Sequence, residues 1–216
     1  MNNMDENIAK SLTEIGAVSL RITPPFTWAS GRLSPIYCDN RLLMSYPDHR
    51  KTVAKGFVDL LKRLGWYPEV IAGTATAGIP HAAWLAELTG LPMIYVRGAQ
   101  KEHGKANRIE GLLQPKKKVV LIEDLISTGG SSIDAATGLK EAGVELIGVA
   151  AIFTYGLSIA KKRFKEAQIP FATLTSFETL MQEALKAGTL TNEDKEILAD
   201  WQADPAAWSL ARGGKG

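Results

Sequence analysis

Two adjacent carboxylates, Glu123 and Asp124, are followed within seven residues by three hydroxyls and two glycines: Ser127, Thr128, Gly129, Gly130 and Ser131. Before them lies the apolar run 119–122 (VVLI), of the kind that forms a strand buried on both faces of a parallel sheet. After them comes IDAATGLKEAG, which reads as a helix with Ile133, Ala136 and Leu139 on one side. The order is strand, acid pair at the strand end, glycine turn, helix N-terminus. In open α/β sheets, ligands bind beyond the carboxyl ends of the strands. A helix N-terminus with free N–H groups suits a phosphate, glycines let the backbone approach it, and the hydroxyls add donors. A carboxylate would repel that phosphate, so Glu123 and Asp124 suit sugar hydroxyls or a Mg²⁺ ion. A ligand with a phosphate at one end and a diol beside it is a ribose phosphate. The turn has neither the P-loop pattern nor the glycine fingerprint of dinucleotide-binding folds. Taken alone, an acid pair before a glycine turn is better explained as a surface acid pair followed by an ordinary turn.

The elements that would position these residues follow from periodicity. Ile8, Leu12, Ile15 and Val18 predict an amphipathic helix over about 5–20. The turn-rich segment after it has extended pieces at 26–28 and 36–38 that predict a hairpin. A second helix is expected over 47–64, started by Pro47 and stopped by Gly65. Strand and helix then alternate: strands at 70–72, 93–96, from 119, at 146–153 and at 171–174, and helices at 81–88, 158–167, 176–187 and 192–202. This alternation predicts an α/β fold, a doubly wound and mostly parallel sheet flanked by helices. The whole chain, 1–216, reads as one domain, with about 1–45 as a small N-terminal hood and 203–216 as a flexible tail. The stretch 98–118 is too polar to be a crossover helix and carries Lys101, His103, Lys105 and Arg108. It reads equally as a mobile lid over polyphosphate or as a solvated basic loop.

Of the 216 residues, 25 are Lys or Arg and 23 are Asp or Glu, so a net charge of +2 gives no field that argues for nucleic acid or a membrane surface. A single cysteine, Cys38, excludes an internal disulfide and fits a reducing compartment. The N-terminal residues have no apolar leader core, and no apolar run reaches membrane-spanning length. The expectation is a cytoplasmic protein. Cys38 and the tryptophans read as packing residues, and His81 as a cap or packing residue.

The run 119–132 as a whole resembles the motif with which type I phosphoribosyltransferases bind 5-phospho-α-D-ribosyl 1-diphosphate (PRPP). Three further segments resemble orotate phosphoribosyltransferases: FTWASGRLSPIYCDNR at 26–41, GTATAGIP at 73–80 as the pyrophosphate loop, and YVR with K-x-HG at 95–104 as the catalytic lid. The resemblance implies the type I phosphoribosyltransferase fold and transfer of ribose 5-phosphate from PRPP to orotate, with Mg²⁺ held mainly by PRPP and through water by Asp124. It implies that Arg97, Lys101 and His103 contact the diphosphate, with Lys101, His103 and Asp124 catalytic. Glu123, Asp124, Leu125, Ile126, Ser127, Thr128, Gly129, Gly130 and Ser131 would hold ribose and phosphate, and Ser127 and Phe26 the orotate. It further implies a homodimer whose lid is shared between subunits.

The chain departs from better-known members at four places. Ala29, Ala77 and Gly98 stand where some carry lysine, and Thr154–Tyr155 where many carry an orotate-binding arginine. Two other functions compete. A sister enzyme acting on a purine or uracil is allowed by the motif, while the segment 26–41 and the K-x-HG lid speak against it. A PRPP-sensing regulator that binds nucleic acid should show a basic stripe or an added helix-turn-helix domain, and a net charge of +2 with no spare N-terminal domain speaks against that expectation.

Overall fold

The computed structural model of the chain describes residues 3–98 and 108–216. Among them, six strands form the central sheet in the spatial order β10 (Phe171–Ser176), β9 (Glu145–Thr154), β8 (Lys118–Ile126), β5 (Val70–Thr74), β6 (Met93–Val96) and β7 (Ile109–Glu110). The first five run parallel and β7 runs antiparallel at the edge. Side chains of β8 and β9 alternate between the two faces. Val120, Ile122, Ala150 and Ile152 enter one core, and Val119, Leu121, Val149 and Ala151 the other. The first core is covered by α1 (Asn3–Glu14), α2 (Pro47–Leu64), α3 (Gly78–Thr89), α6 (Phe177–Lys186) and α7 (Asn192–Ala203). The second is covered by α4 (Gly130–Glu141) and α5 (Ser158–Glu166). This is the doubly wound sheet that the alternation predicts. After β5 the chain adds β6 on one side, then returns to lay β8, β9 and β10 on the other. The strand order therefore reverses between β5 and β8, the place where such sheets bind ligands.

The N-terminal region differs from expectation in its pairings. Helix α1 stops at Glu14 because Gly16 turns left-handed at φ 70°. The residues after it form β1 (Val18–Leu20), antiparallel to β4 (Ile36–Cys38). The predicted hairpin exists with a nearer partner: β2 (Phe26–Thr27) pairs with β3 (Leu33–Ser34) across a turn at Gly31, where φ is 83°. A 3-10 helix, Asn40–Ser45, then leads into α2.

The C-terminal residues also differ. Instead of a flexible tail over 203–216, the chain forms α8 (Pro205–Leu210). The Asp204 carboxylate accepts from the Ala206 and Ala207 N–H groups at 3.1 and 2.9 Å, Pro205 fills the first helical position, and Trp208 is buried. No described helix is long and apolar enough to cross a membrane.

On the first turn of α3, His81 is 1% exposed and has no hydrogen-bond partner among the described residues at either ring nitrogen. Its ring meets the edge of Trp84 at 5.3 Å. Burial holds its pKa down at about 4. The unfolded chain therefore binds a proton near pH 6.5 that the folded chain refuses, so this site destabilises the fold as pH falls from 6.5 towards 4. The full effect is about 3 kcal/mol. Glu123 titrates in the opposite sense, its folded pKa being raised (below), so the informative quantity is the difference from His81→Leu. Urea unfolding at pH 7 and pH 4.5 should show the wild type losing about 2 kcal/mol relative to the variant. Parallel pH profiles would mean the ring is hydrated in solution.

Candidate active site

The central parallel strands end at one edge of the sheet, and the loops that follow β5 and β8 face each other there across a cavity of about 290 Å³. One wall is the loop after β5, Ala75, Thr76 and Ala77, whose Ala75–Thr76 peptide is cis. The other is the turn from Ser127 to Ser131 with Glu123, Asp124 and Leu125 below it. The two walls are pressed together by a glycine. A Cβ on Gly78 would lie 2.5 Å from the Ile122 carbonyl oxygen, so α3 approaches β8 at backbone distance.

The turn is shaped for an anion. Gly129 adopts φ 79°, and a Cβ there would also sit 2.9 Å from the Phe164 ring. Among the described residues no side chain caps α4, which leaves the N–H groups of its first turn for a ligand. The Thr128 carbonyl accepts from Arg163 Nη1 at 3.3 Å, which steadies the turn from α5.

The acid pair lies within β8, which continues to Ile126, and not at the end of the strand. Its two members have different surroundings. Glu123 is 4% exposed; its carboxylate accepts from Ser132 Oγ at 2.9 Å and from the Asp124 N–H at 3.1 Å. Burial, then the charge of Asp124, push its pKa up to about 8. Asp124 is half-buried and is also raised by burial, but a hydrogen bond from Glu123 and its backbone neighbours pull it back. Of this coupled pair, Glu123 is the member that holds its proton to the higher pH. The Asp124 carbonyl accepts from Asn40 Nδ2 at 2.7 Å, which ties the 3-10 helix to the motif strand.

Glu123, Asp124, Leu125, Ser127, Thr128, Gly129, Gly130 and Ser131 all line the cavity. Ile126 does not: its side chain is fully buried and its carbonyl accepts from Thr154 Oγ1 at 3.0 Å, so it is a core residue. Arg97 is also absent from the lining; its Nε pairs with Glu110 at 3.3 Å and its N–H bonds the Arg108 carbonyl. Phe26 sits on the hood hairpin, its ring 5.7 Å from that of Tyr37 and under the Arg21 guanidinium. Lys101 and His103 lie outside the described residues.

Residues 46–177 match the phosphoribosyl transferase domain family. The chain is 53% identical over 206 residues to an orotate phosphoribosyltransferase of Fusobacterium nucleatum, covering 94% of this chain and 97% of that one. The chain belongs to the orotate phosphoribosyltransferase family. It is also 50% identical over 206 residues to the orotate phosphoribosyltransferase of Listeria monocytogenes serotype 4b, covering 95% and 99%. Among solved structures, that of orotate phosphoribosyltransferase from Aeropyrum pernix superimposes with a TM-score of 0.73 at 27% identity, covering 85% of this chain and 99% of that one.

Within this family fold, Thr154 and Tyr155 have inward-facing roles. Thr154 Oγ1 bonds the Ile126 carbonyl and receives the Gly156 N–H at 3.0 Å. The Tyr155 ring stacks on Trp28 at 5.7 Å and meets the edges of Phe153 and Trp201. Burial raises the pKa of its hydroxyl. Tyr155 holds the hood to the sheet through Trp28, and Thr154 ties the end of β9 to β8.

Sequence reasoning passed over Asn40 and Ser132, the partners of the acid pair. The first reaches Asp124 from 84 residues away, and no local pattern announces such a contact. Ser132 stands in the quoted motif, one position beyond the hydroxyls assigned to phosphate.

Proposed function

We propose that the protein transfers the ribose 5-phosphate group of PRPP to orotate, giving orotidine 5′-monophosphate and pyrophosphate, a step of de novo pyrimidine (UMP) biosynthesis. One observation carries the reading: a single cavity puts an uncapped helix N-terminus on one side and the Asp124 carboxyl group on the other, in a chain that matches orotate phosphoribosyltransferases over nearly its whole length.

In this reading the amides at the start of α4, with Thr128 and Ser131, take the 5′-phosphate. Asp124 accepts from the ribose hydroxyls, and the 75–77 loop supports the diphosphate. Arg97, Lys101 and His103 contact the diphosphate, the last two from the lid, and Ser127 and Phe26 receive orotate. Breaking the bond from ribose C1 to pyrophosphate builds positive charge on the sugar. Asp124 stabilises that charge electrostatically, and the turn holds the sugar so that the nucleobase nitrogen is in line. Closure over the cavity excludes water that would hydrolyse PRPP.

A Mg²⁺ ion fits the site through its substrate. Among the described residues no group of three or more His, Cys, Asp or Glu side chains could hold a metal. Its ligands would come mainly from PRPP, with Asp124 reaching it through water. Bound there, the ion would neutralise charge on the departing diphosphate.

We place the enzyme in the cytoplasm, a reducing compartment suited to the free Cys38 thiol. We also propose a homodimer with the lid shared between subunits. The exposed apolar side chains of Leu42, Met44 and Tyr46, close together at the 3-10 helix, support a face for a second copy.

The test is orotate depletion, followed by ultraviolet absorbance with PRPP and Mg²⁺, with adenine, hypoxanthine and uracil as rival bases. Orotate alone should be consumed, with release of pyrophosphate, by a preparation that sediments as a dimer. Turnover of another base in preference to orotate would refute the reading, and a monomeric active species would refute the shared lid.

A further inference from the structure

The hood hairpin is too small to hold itself in place. Strands β2 and β3 have two residues each and, among the described residues, pair only with one another. A hairpin of this size is marginal in water and needs tertiary support. On the sheet side that support is Trp28, whose ring stacks on Tyr155 and whose Nε1 donates to the Ile36 carbonyl at 3.2 Å. On the opposite strand and across the turn the support comes from the far end of the chain.

Ser209 on α8 is fully buried, and its hydroxyl makes two bonds. It accepts from the Leu33 N–H at 2.9 Å and donates to the Lys215 carbonyl at 2.5 Å. The Lys215 N–H in turn donates to the Gly31 carbonyl at 3.1 Å. One hydroxyl thus links strand β3 to residues 213–215, and those residues bind the hairpin turn. Gly214 is packed into the junction without spare room. A Cβ there would lie 2.5 Å from Ser209 Oγ and 2.6 Å from Leu33 Cγ. The helix presenting Ser209 is itself anchored, by the Asp204 cap and by buried Trp208. Just before it, Gln202 Nε2 donates to the Tyr155 carbonyl at 2.7 Å.

We infer that residues 205–215 form a clasp that fixes the hood hairpin over the base side of the active site, with Ser209 as its positioning residue. The link to the base rests on the proposed function, in which Phe26 on β2 meets orotate. Ser209 touches no reacting atom. It acts through Leu33 and Gly31, and so on the strand paired with Phe26.

Two variants of the full chain test the clasp by different routes. Ser209→Ala removes the hydroxyl; Gly214→Ala keeps it and forces the junction apart. Both should speed hydrogen exchange of peptides covering 26–34, with peptides from β8 and β9 unchanged. Both should raise the KM for orotate about ten-fold, the scale of one hydrogen bond, with the KM for PRPP within about two-fold. Unchanged exchange in the hairpin would overturn the clasp. A loosened hairpin with an unmoved orotate KM would overturn the positioning role. So would KM values for both substrates rising together with a general fall in Tm, since that is the mark of a merely structural residue. If the wild type consumes no orotate, the proposed function fails and the link to the base fails with it. The exchange comparison then still decides whether the clasp holds the hairpin.

Discussion

Replacing Asp124 by Asn should lower kcat/KM by about 10²–10³-fold, roughly 3–4 kcal/mol of transition-state stabilisation. Asparagine keeps the shape of the side chain and one acceptor oxygen, so the loss reports on charge. The same change at the adjacent acid should do far less. Glu123 is buried against Ser132, and its pKa is pushed up to about 8, so near pH 7 it already holds a proton. Glutamine mimics that neutral form, and Glu123→Gln should cost no more than about ten-fold in kcat/KM. Steady-state rates of the two variants at pH 7, with PRPP varied at saturating orotate, compare the two carboxyls directly. Equal losses at the two positions would mean that both carboxylates are ionised and face the sugar. A greater loss at Glu123 would reverse their roles.

The distinction between the two acids is not readable in the sequence, where they are equivalent neighbours. It arises because β8 continues past both of them, and alternate side chains of a strand face opposite ways. Elsewhere the sequence is more explicit. The apolar runs at 119–122 and 146–153 could only be buried parallel strands once helices alternated with them, and Gly65 and Pro47 delimit α2 as expected. The glycine turn was legible as an anion site because its backbone freedom is written in residue type. The hood was not. Extended pieces of two or three residues can pair in several ways, and what selects among them is distant. Gly16 frees β1 to reach β4, and the C-terminal segment holds β3 beside β2. The tail carried a signal that its glycines obscured: Asp204–Pro205 is a helix start, and Trp208 four residues after Asp204 supplies an apolar anchor. Ile126 stands beside the turn in the motif, but its backbone pairs with Thr154 of β9 and its side chain is fully buried, which makes it a core residue.

Gly78→Ala sets local propensity against packing. Gly78 is the first residue of α3, and alanine is the better helix former, worth at most about 1 kcal/mol in favour of the variant. Against this stands the Ile122 carbonyl oxygen 2.5 Å from the position of the new Cβ, with Glu123 Cα at 3.4 Å. That oxygen belongs to the backbone of β8, which is paired with β5 on one side and β9 on the other, so it has nowhere to go. The helix must move instead, at a cost of about 3 kcal/mol or more for overpacking against backbone. Packing wins, and the net loss of about 2 kcal/mol should lower Tm by roughly 4–8 °C for a chain of this size. The displacement has a functional cost too, because residues 75–77 lead directly into α3 and form one wall of the cavity. A shift of about 1 Å in a substrate-positioning loop can cost 10²-fold in rate. Gly78→Ala should therefore lose about two orders of magnitude in kcat/KM, chiefly through PRPP, at temperatures where it is still folded. A variant with raised Tm and normal kinetics would show that α3 stands off from β8, and that the close approach of the two walls does not shape the site.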